Sequence, residues 1–166
     1  SIFGHLFKEF HLDGLYEKLE LDEAKEFNLL KDDYDGFSVT APFKQTIIKY
    51  LDDISAAAKS IGAVNTIYRK DGLWLGDNTD YFGIINSIKN SSNTKDWSEK
   101  SCLILGAGGA ARAAIFAMRK MGIQTTIINR TASKAENLAA EFDVKHLSPE
   151  EIDLQNYQLL INTTPQ

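Results

Sequence analysis

Three polar residues stand where strand-like runs end in the first half of the sequence. Lys44 closes the alternating segment GFSVTAPFK, Asn65 lies within AVNTI, and Asp80 closes GDNTD. A lysine ammonium beside a carboxylate can stabilise negative charge on an oxygen and transfer a proton to it. Because ligands collect beyond the carboxyl ends of strands in open α/β sheets, we expect the three groups to converge on one rim.

Each of these residues also has a purely structural interpretation. Lys44 suits a surface position in a first helical turn, and Asn65 suits a hairpin position with local hydrogen bonds. Asp80 suits the N-cap of a helix that starts at Tyr81. Caps and solvated charges are common, so spacing alone does not choose between the two interpretations.

A glycine-rich turn opens the second half of the sequence. GAGGAARAA places Gly106, Gly108 and Ala111 in the G-x-G-x-x-G/A spacing, directly after the apolar run SCLIL and before a helical pattern. Gly106 permits a tight turn, Gly108 lets the backbone approach a pyrophosphate, and Ala111 allows close helix packing. The sequence therefore predicts a dinucleotide-binding loop, against the alternative of a glycine turn without a ligand.

The segment INRT follows at the distance where an NAD site carries an acidic residue, about twenty residues beyond the glycines. Asn129 has no charge, whereas Arg130 and Lys134 can pair with a 2'-phosphate. We therefore expect NADP as the cofactor. The alternative interpretation of Arg130 is a solvated charge on a loop that binds no cofactor.

The elements that position the first three residues form an irregular series. Three predicted elements come before the strand GFSVTA. They are a helix over 2–10, a turn and short strand in LDGLYEKLEL, and a helical repeat of Ala24, Phe27 and Leu30. Next come one broken helix or two short helices over 45–61. They are followed by a hairpin with strands near 64–69 and 73–77. The final helix, from Tyr81, is expected to bury Phe82, Ile85 and Ile88.

The second half alternates strand and helix after a polar break, NSSNTKDWSEK, that we take as a domain boundary. The predicted strands are SCLIL, QTTIIN and QLLIN, and the predicted helices between them cover 109–121 and 133–142. This alternation predicts a parallel sheet with crossover helices. Two capping boxes support the helix starts, Ser133 with Glu136 and Ser148 with Glu151.

Composition narrows the function classes. The 166 residues carry a net charge of -5, opposite to the basic surface that nucleic acids select, so we expect no nucleic-acid partner. No run of ~18 apolar residues could span a membrane. The single cysteine, Cys102, indicates a reducing compartment, so we expect a cytoplasmic protein. The three histidines lack metal-ligand spacing, and we expect no metal site.

Six ordered motifs resemble one known family. In sequence order, these motifs are SVTAPFK, IGAVNTI, GDNTDYFG, GAGGAARAA, NRT and INTTP. The series is similar to that of the shikimate dehydrogenase family. The resemblance implies the α/β class, with an N-terminal open α/β substrate domain over 1–92 and a Rossmann-like dinucleotide-binding domain over 98–166. It implies NADP-dependent interconversion of 3-dehydroshikimate and shikimate in aromatic amino-acid biosynthesis, in the cleft between the domains.

The same resemblance implies residue roles. Lys44 and Asp80 match the family's catalytic pair, in which the carboxylate would keep the lysine charged and oriented. Thr40, Asn65 and Asp80 match positions that hold the hydroxyls of the small-molecule substrate. The motifs imply that the cofactor is bound by residues of three turns, namely Gly106, Gly108, Gly109, Ala110, Asn129, Arg130, Thr131, Lys134, Asn162 and Thr163.

The sequence departs from the family pattern mainly at its ends. Phe3 and Gly4 stand where the family has His and Asn, and the serines that grip the substrate carboxylate would fall before residue 1. INTTPQ stops before the family's Gly-Met continuation, and Ser38 stands where Asn is usual. We expect both domains to be truncated, the first without its first strand and the second without its C-terminal part. An upstream module is a further option, because family members also occur fused to other enzymes of the pathway.

Three other functions stay open on the sequence. A quinate/shikimate dehydrogenase that prefers NAD is opposed by Arg130. A methylenetetrahydrofolate dehydrogenase shares the architecture but should not show NTD after the hairpin. A dinucleotide-binding module without catalysis is consistent with Phe3 and Gly4.

Overall fold

Two four-stranded β-sheets organise the part of the chain that the structure describes. The computed structural model describes residues 2–91 and 96–164, so Ser1, the centre of the predicted domain boundary and Pro165 lie outside the described residues. The first sheet consists of β1 (Gly36–Ser38), β2 (Asp53–Ile54), β3 (Thr66–Lys70) and β4 (Leu73–Asp77). The second consists of β5 (Ser101–Leu105), β6 (Gln124–Ile128), β7 (Lys145–His146) and β8 (Leu159–Asn162).

The first sheet has the strand order β1-β3-β4-β2 and is mixed. Strand β3 pairs antiparallel with both β1 and β4, while β2 runs parallel to β4. The predicted hairpin is confirmed, because Asp71 and Gly72 link β3 to β4 with φ of 52° and 81°. Positive φ at both turn residues matches the right-handed twist of the flanking strands.

Helices around the first sheet are short except for the last. They are α1 (Ile2–Glu9), α2 (Phe27–Leu30), α3 (Ala56–Ile61) and α4 (Asp80–Ser91), with 3-10 turns at Ala24–Glu26, Lys31–Asp33 and Thr46–Tyr50. The predicted pair of short helices over 45–61 is confirmed, although β2 separates them. The strand predicted in LDGLYEKLEL is wrong: residues 12–21 form no regular element, and Leu15 is 86% exposed. No strand in the described part of the chain pairs with this stretch.

The face of helix α4 that packs on the core coincides only in part with the predicted one. Tyr81, Ile84, Ile85 and Ile88 pack on the core, whereas Phe82 is 60% exposed. At 3.6 residues per turn, Phe82 lies about 100° around the helix from Tyr81. The expected burial of Ile88 is therefore confirmed, Ile85 is partly buried, and the expected burial of Phe82 is wrong.

The second sheet is fully parallel, in the order β7-β6-β5-β8, as the alternating sequence predicts. Helices α5 (Gly109–Lys120) and α6 (Ala132–Phe142) connect its strands, and 3-10 turns lie at Pro149–Glu151 and Leu154–Asn156. The chain winds outward from β5 through β6 to β7 and then returns to β8 on the other side of β5. The gap beyond the carboxyl ends of β5 and β8 is therefore a topological switch point, where α/β sheets bind ligands.

One of the two predicted capping boxes is present. Ser148 N donates to Glu151 Oε2 at 2.8 Å, although the turn that they cap is only a 3-10 turn. The prediction of a capping box at Ser133 is wrong, because α6 begins at Ala132 and Ser133 lies inside its first turn.

Small residues let α5 lie close to the second sheet. Ala111, Ala114 and Ala117 are fully buried, and Cys102 lies in the same core. Among the described residues, no helix has the length and apolar character needed to cross a bilayer.

Candidate active site

Lys44 and Asp80 form an ion pair at the rim of the first sheet. Lys44 lies in the loop after β1, and Asp80 begins α4, directly after the β3–β4 hairpin. Lys44 Nζ donates to Asp80 Oδ2 at 2.6 Å, and the two side chains are 18% and 28% exposed. Partial burial strengthens such a charge-assisted hydrogen bond relative to one in water, while leaving both groups open to a ligand.

Asn65 completes a three-residue cluster with this pair. Its Nδ2 donates to Asp80 Oδ1 at 2.7 Å, and its Oδ1 accepts from the backbone of Thr79 at 2.9 Å. Both oxygens of the Asp80 carboxylate are thus held, one by Lys44 and one by Asn65. The structure brings together three side chains that are separated by up to 36 positions in the sequence.

Asp80 is the first residue of α4 and not the residue that precedes it, so the predicted N-cap position of Asp80 is wrong. Asn78 Oδ1 instead accepts from Asp80 N at 3.1 Å, while Asn78 Nδ2 donates to Ala63 O at 3.0 Å. Asn78 is 1% exposed and was missed as a site residue by the sequence analysis. It lies inside the quoted GDNTD motif, which was the signal that could have identified it. Its two bonds connect the segments that carry Asn65 and Asp80.

Thr40 lies on the same loop as Lys44 but outside the hydrogen-bonded cluster. It is exposed, and its carbonyl accepts from Phe43 N at 3.0 Å. The predicted contact of Thr40 with a substrate hydroxyl stays a prediction.

The glycine loop lies at the switch point between β5 and β8. Gly106 has φ of 113°, and a Cβ there would overlap Thr163 Oγ1. Thr163 N in turn donates to Leu105 O at 2.9 Å, which fixes the end of β8 against the loop. A Cβ on Gly108 would meet no atom within 4 Å, so the backbone before α5 faces open space. A helix N-terminus with free N–H groups and room beside it suits a phosphate.

Gly109 joins the glycine loop to the Lys44 cluster. A Cβ built on Gly109 would lie 3.2 Å from Lys44 Cβ and 3.3 Å from Lys44 Cδ. The aliphatic part of Lys44 therefore rests on the first turn of α5, and its ammonium reaches Asp80. The two halves of the chain meet at the residue with the proposed chemistry.

The remaining residues predicted to bind the cofactor lie at the same edge of the second sheet. Asn129, Arg130 and Thr131 follow β6, and Asn129 Nδ2 donates to Thr131 O at 3.0 Å. Asn162 Oδ1 accepts from Thr164 N at 3.0 Å just after β8. Arg130 and Lys134 are exposed, and Ala110 is half-buried in the first turn of α5. The structure places all of these residues at or beyond the carboxyl ends of β5, β6 and β8, and their binding roles stay predictions.

Comparison with protein families decides the family of this chain. The profile of the shikimate dehydrogenase substrate binding domain matches residues 1–67, and that of shikimate/quinate 5-dehydrogenase matches residues 89–165. The chain belongs to the shikimate dehydrogenase family. As in the family, a substrate-binding part precedes a Rossmann-like part.

Individual shikimate dehydrogenases are similar to nearly the whole chain. The NADP(+) enzyme of Shouchella clausii is 39% identical over 169 residues, covering 95% of this chain and 61% of that protein. The Aquifex aeolicus crystal structure has a TM-score of 0.88 at 39% identity and covers 97% of this chain and 61% of that one. The Thermus thermophilus structure, in complex with NADP(H) and shikimate, has a TM-score of 0.84 at 31% identity, covering 98% and 62%. The chain thus spans about three fifths of the length of these relatives.

Proposed function

We propose that this chain forms the core of an enzyme that interconverts 3-dehydroshikimate and shikimate with NADP in aromatic amino-acid biosynthesis. The observation that carries the proposal is the 2.6 Å contact of Lys44 Nζ with Asp80 Oδ2, made while Lys44 packs on Gly109 of the glycine loop. This geometry brings a proton donor to the point where the substrate-binding part meets the dinucleotide loop. The family's relatives that bind NADP(H) and shikimate support the choice of substrate and cofactor.

Lys44 is the proton donor of the proposed reaction. NADPH, when bound, supplies a hydride to the ketone carbon of the substrate. The Lys44 ammonium stabilises the negative charge on the ketone oxygen and donates a proton to it. Asp80 orients the ammonium through Oδ2, while Asn65 holds the other carboxylate oxygen. Lys44 regains its proton from solvent, to which its side chain is 18% exposed.

The chain's own residues fit a dinucleotide that carries a 2'-phosphate. The open space at Gly108 admits a pyrophosphate to the N-terminus of α5, beside Gly109, Ala110 and Thr163. Arg130 and Lys134 are exposed beyond β6, and neither has a carboxylate partner within residues 2–91 and 96–164. Both cations are therefore available to a phosphate, which favours NADP over NAD.

The substrate side of the site is formed by Thr40, Asn65 and Asp80. Asn65 and Asp80 present amide and carboxylate groups that can bind hydroxyls, and exposed Thr40 adds a third polar group from the loop of Lys44. Cytoplasmic location and fusion to another enzyme of the pathway remain predictions.

A comparison of substrates and cofactors tests the proposed function. The protein with its natural ends is assayed for formation of the reduced cofactor, NADPH or NADH, with each pairing of shikimate or quinate and NADP+ or NAD+. We expect the highest kcat/KM with shikimate and NADP+. A preference for quinate and NAD+ would support the rival dehydrogenase, and tight NADPH binding without any oxidation of shikimate would support a non-catalytic module.

A further inference from the structure

Arg112 of the glycine-loop helix turns away from the nucleotide side of α5. Its Nη1 donates to Ile61 O at 3.1 Å and to Glu141 Oε1 at 2.6 Å, and its Nη2 contacts the second oxygen of Glu141. The guanidinium also lies 5.5 Å from the centre of the Phe142 ring. The Arg112 side chain is only 13% exposed, so one residue of α5 is fixed to α3 and α6 at once.

The contact with Ile61 falls on the end of α3, where carbonyl groups lack helical partners and the helix dipole is negative. Gly62 terminates the helix with φ of 68°, and a Cβ there would lie 2.6 Å from Arg112 Nη1. Gly62 thus meets two requirements, a left-handed backbone and space for the guanidinium. Only a residue without a side chain satisfies both.

The segment that Arg112 holds leads directly into the site. Val64 N donates to Lys44 O at 2.7 Å, and the next residue is Asn65, which binds Asp80. The same first turn of α5 contacts Lys44 through Gly109. A displacement of Ile61 relative to α5 would therefore move the backbone of Lys44 and the partner of Asp80 together.

We propose that Arg112, held by Glu141, is a positioning residue that sets the spacing between the glycine loop and the Lys44–Asp80 pair. The inference rests on the proposed function for its kinetic effect. The Ile61 contact is its distinctive feature, because an arginine that served only α5–α6 packing would not need to reach α3. The fork of the guanidinium can bind the carboxylate and the carbonyl simultaneously, which a lysine ammonium does with poorer geometry.

Arg119 provides a matched control on the same helix. Its guanidinium contacts Phe142 O and lies 5.9 Å from the centre of the Phe142 ring, so it also joins α5 to α6. No described contact takes Arg119 to α3. Arg119→Ala therefore removes a comparable arginine from the α5–α6 interface and leaves the segment before Asn65 untouched.

The test compares Arg112→Ala, Arg112→Lys and Arg119→Ala in the protein with its natural ends. For Arg112→Ala we expect kcat to fall by about 10- to 100-fold, because a misplacement of about 1 Å costs up to that much. The Kd of NADP+, measured separately by calorimetry, should change by less than about threefold, since the pyrophosphate contacts remain. Arg112→Lys should restore part of kcat, and Arg119→Ala should keep kcat within about twofold of the wild type.

Hydrogen exchange by mass spectrometry supplies a readout that does not depend on activity. The amides of residues 62–66 should exchange faster in Arg112→Ala than in Arg119→Ala, because Val64 N–H loses its fixed acceptor at Lys44. The inference would be overturned if these amides exchanged equally fast in Arg112→Ala and Arg119→Ala. It would also be overturned if the two variants lost kcat equally when the same fraction of each was folded. A wild-type protein that fails to oxidise shikimate would instead sink the proposed function, and the exchange comparison would still decide whether Arg112 holds this segment. Arg112→Lys serves for both readouts if Arg112→Ala does not fold.

Discussion

Lys44 is held from two directions. Asp80 binds its ammonium, and Gly109 supports its aliphatic chain. A surface lysine has neither support, and its long side chain would sample many rotamers. The fixed side chain is therefore suited to deliver a proton to one point in the cleft, which is the role proposed for it.

Lys44→Ala should lower turnover by about 100-fold or more, because it removes the group that donates the proton. The KM for shikimate should change by less than about threefold, since the hydroxyl partners remain. Steady-state kinetics of the protein with natural ends measures both quantities. Lys49→Ala is the control, because Lys49 is an exposed neighbour that lies over the Tyr50 ring. Turnover near the wild-type value in Lys44→Ala would remove Lys44 from the mechanism.

Arg130 is expected to determine the preference between the two nicotinamide cofactors. Loss of one charge-assisted hydrogen bond to a 2'-phosphate costs about 1.4 kcal/mol or more, which is about tenfold in affinity. Arg130→Ala should therefore raise the KM for NADP+ about tenfold and leave the KM for NAD+ unchanged. Lys145→Ala, at an exposed cation on β7, should affect neither constant. If Arg130→Ala raises both constants equally, Arg130 does not contact a 2'-phosphate.

At the scale of elements, two consecutive residues at the start of α4 carry out two different tasks. Its first residue binds Lys44, and Tyr81 packs edge-to-face on Phe116 of α5 with ring centres 5.1 Å apart. Ile61, Ala63 and Ala113 form a small buried cluster beside these rings. The helix that presents Asp80 is therefore packed directly on the helix that carries the glycine loop.

Two glycines of these elements should respond in opposite ways to substitution by alanine. Gly83 lies inside α4, where a Cβ would meet nothing within 4 Å, so Gly83→Ala should stabilise the protein by about 0.5–1 kcal/mol. Gly72 has equal space but φ of 81°, so Gly72→Ala should destabilise it by about 1–2 kcal/mol. Urea midpoints at unchanged m-value measure both effects. Equal shifts of the same sign would contradict the assignment of the hairpin turn.

At the scale of the whole molecule, the second sheet is sealed by α5 on the face that contains Cys102. The thiol is fully buried, and burial raises its pKa to about 12. Because the thiolate is the reactive form, the folded protein keeps Cys102 in its neutral and unreactive state at ordinary pH.

Alkylation therefore reports on the integrity of this core. At pH 8 we expect iodoacetamide to modify Cys102 slowly in the native protein and rapidly in urea, where the thiol regains its ordinary pKa of about 8.5. The native rate should keep rising with pH and level off only as the pH approaches about 12, because the thiolate fraction grows until the pH reaches the pKa. Peptide mass spectrometry at Cys102 measures the rates. Rapid native modification at pH 8 would show that the α5–β5 contact opens readily.

Local chemistry explains which elements were predictable. Strand β5 and helix α5 were expected within one residue of their observed ends, because the apolar run, the glycines and the alanines all favour the same structure. The hairpin was equally clear, since Asp71 and Gly72 supply its turn. The strand expected in LDGLYEKLEL failed because pairing with another strand, and not the run itself, decides whether a strand forms.

The sequence by itself determined the chemical groups of the site, the dinucleotide loop and the alternation that produces a parallel sheet. It could not determine that Asp80 binds Lys44 rather than capping α4, because both uses employ the same carboxylate. The tertiary structure decided this by placing Asp80 in the first turn of α4 and by bringing Lys44 and Asn65 to its two carboxylate oxygens. The sequence likewise does not distinguish Arg112 from an ordinary helix residue, because its hydrogen bond to Ile61 O joins two segments that are far apart in the sequence. Contacts between distant segments depend on how sheets and helices pack, and this packing is a property of the whole chain that no local pattern contains.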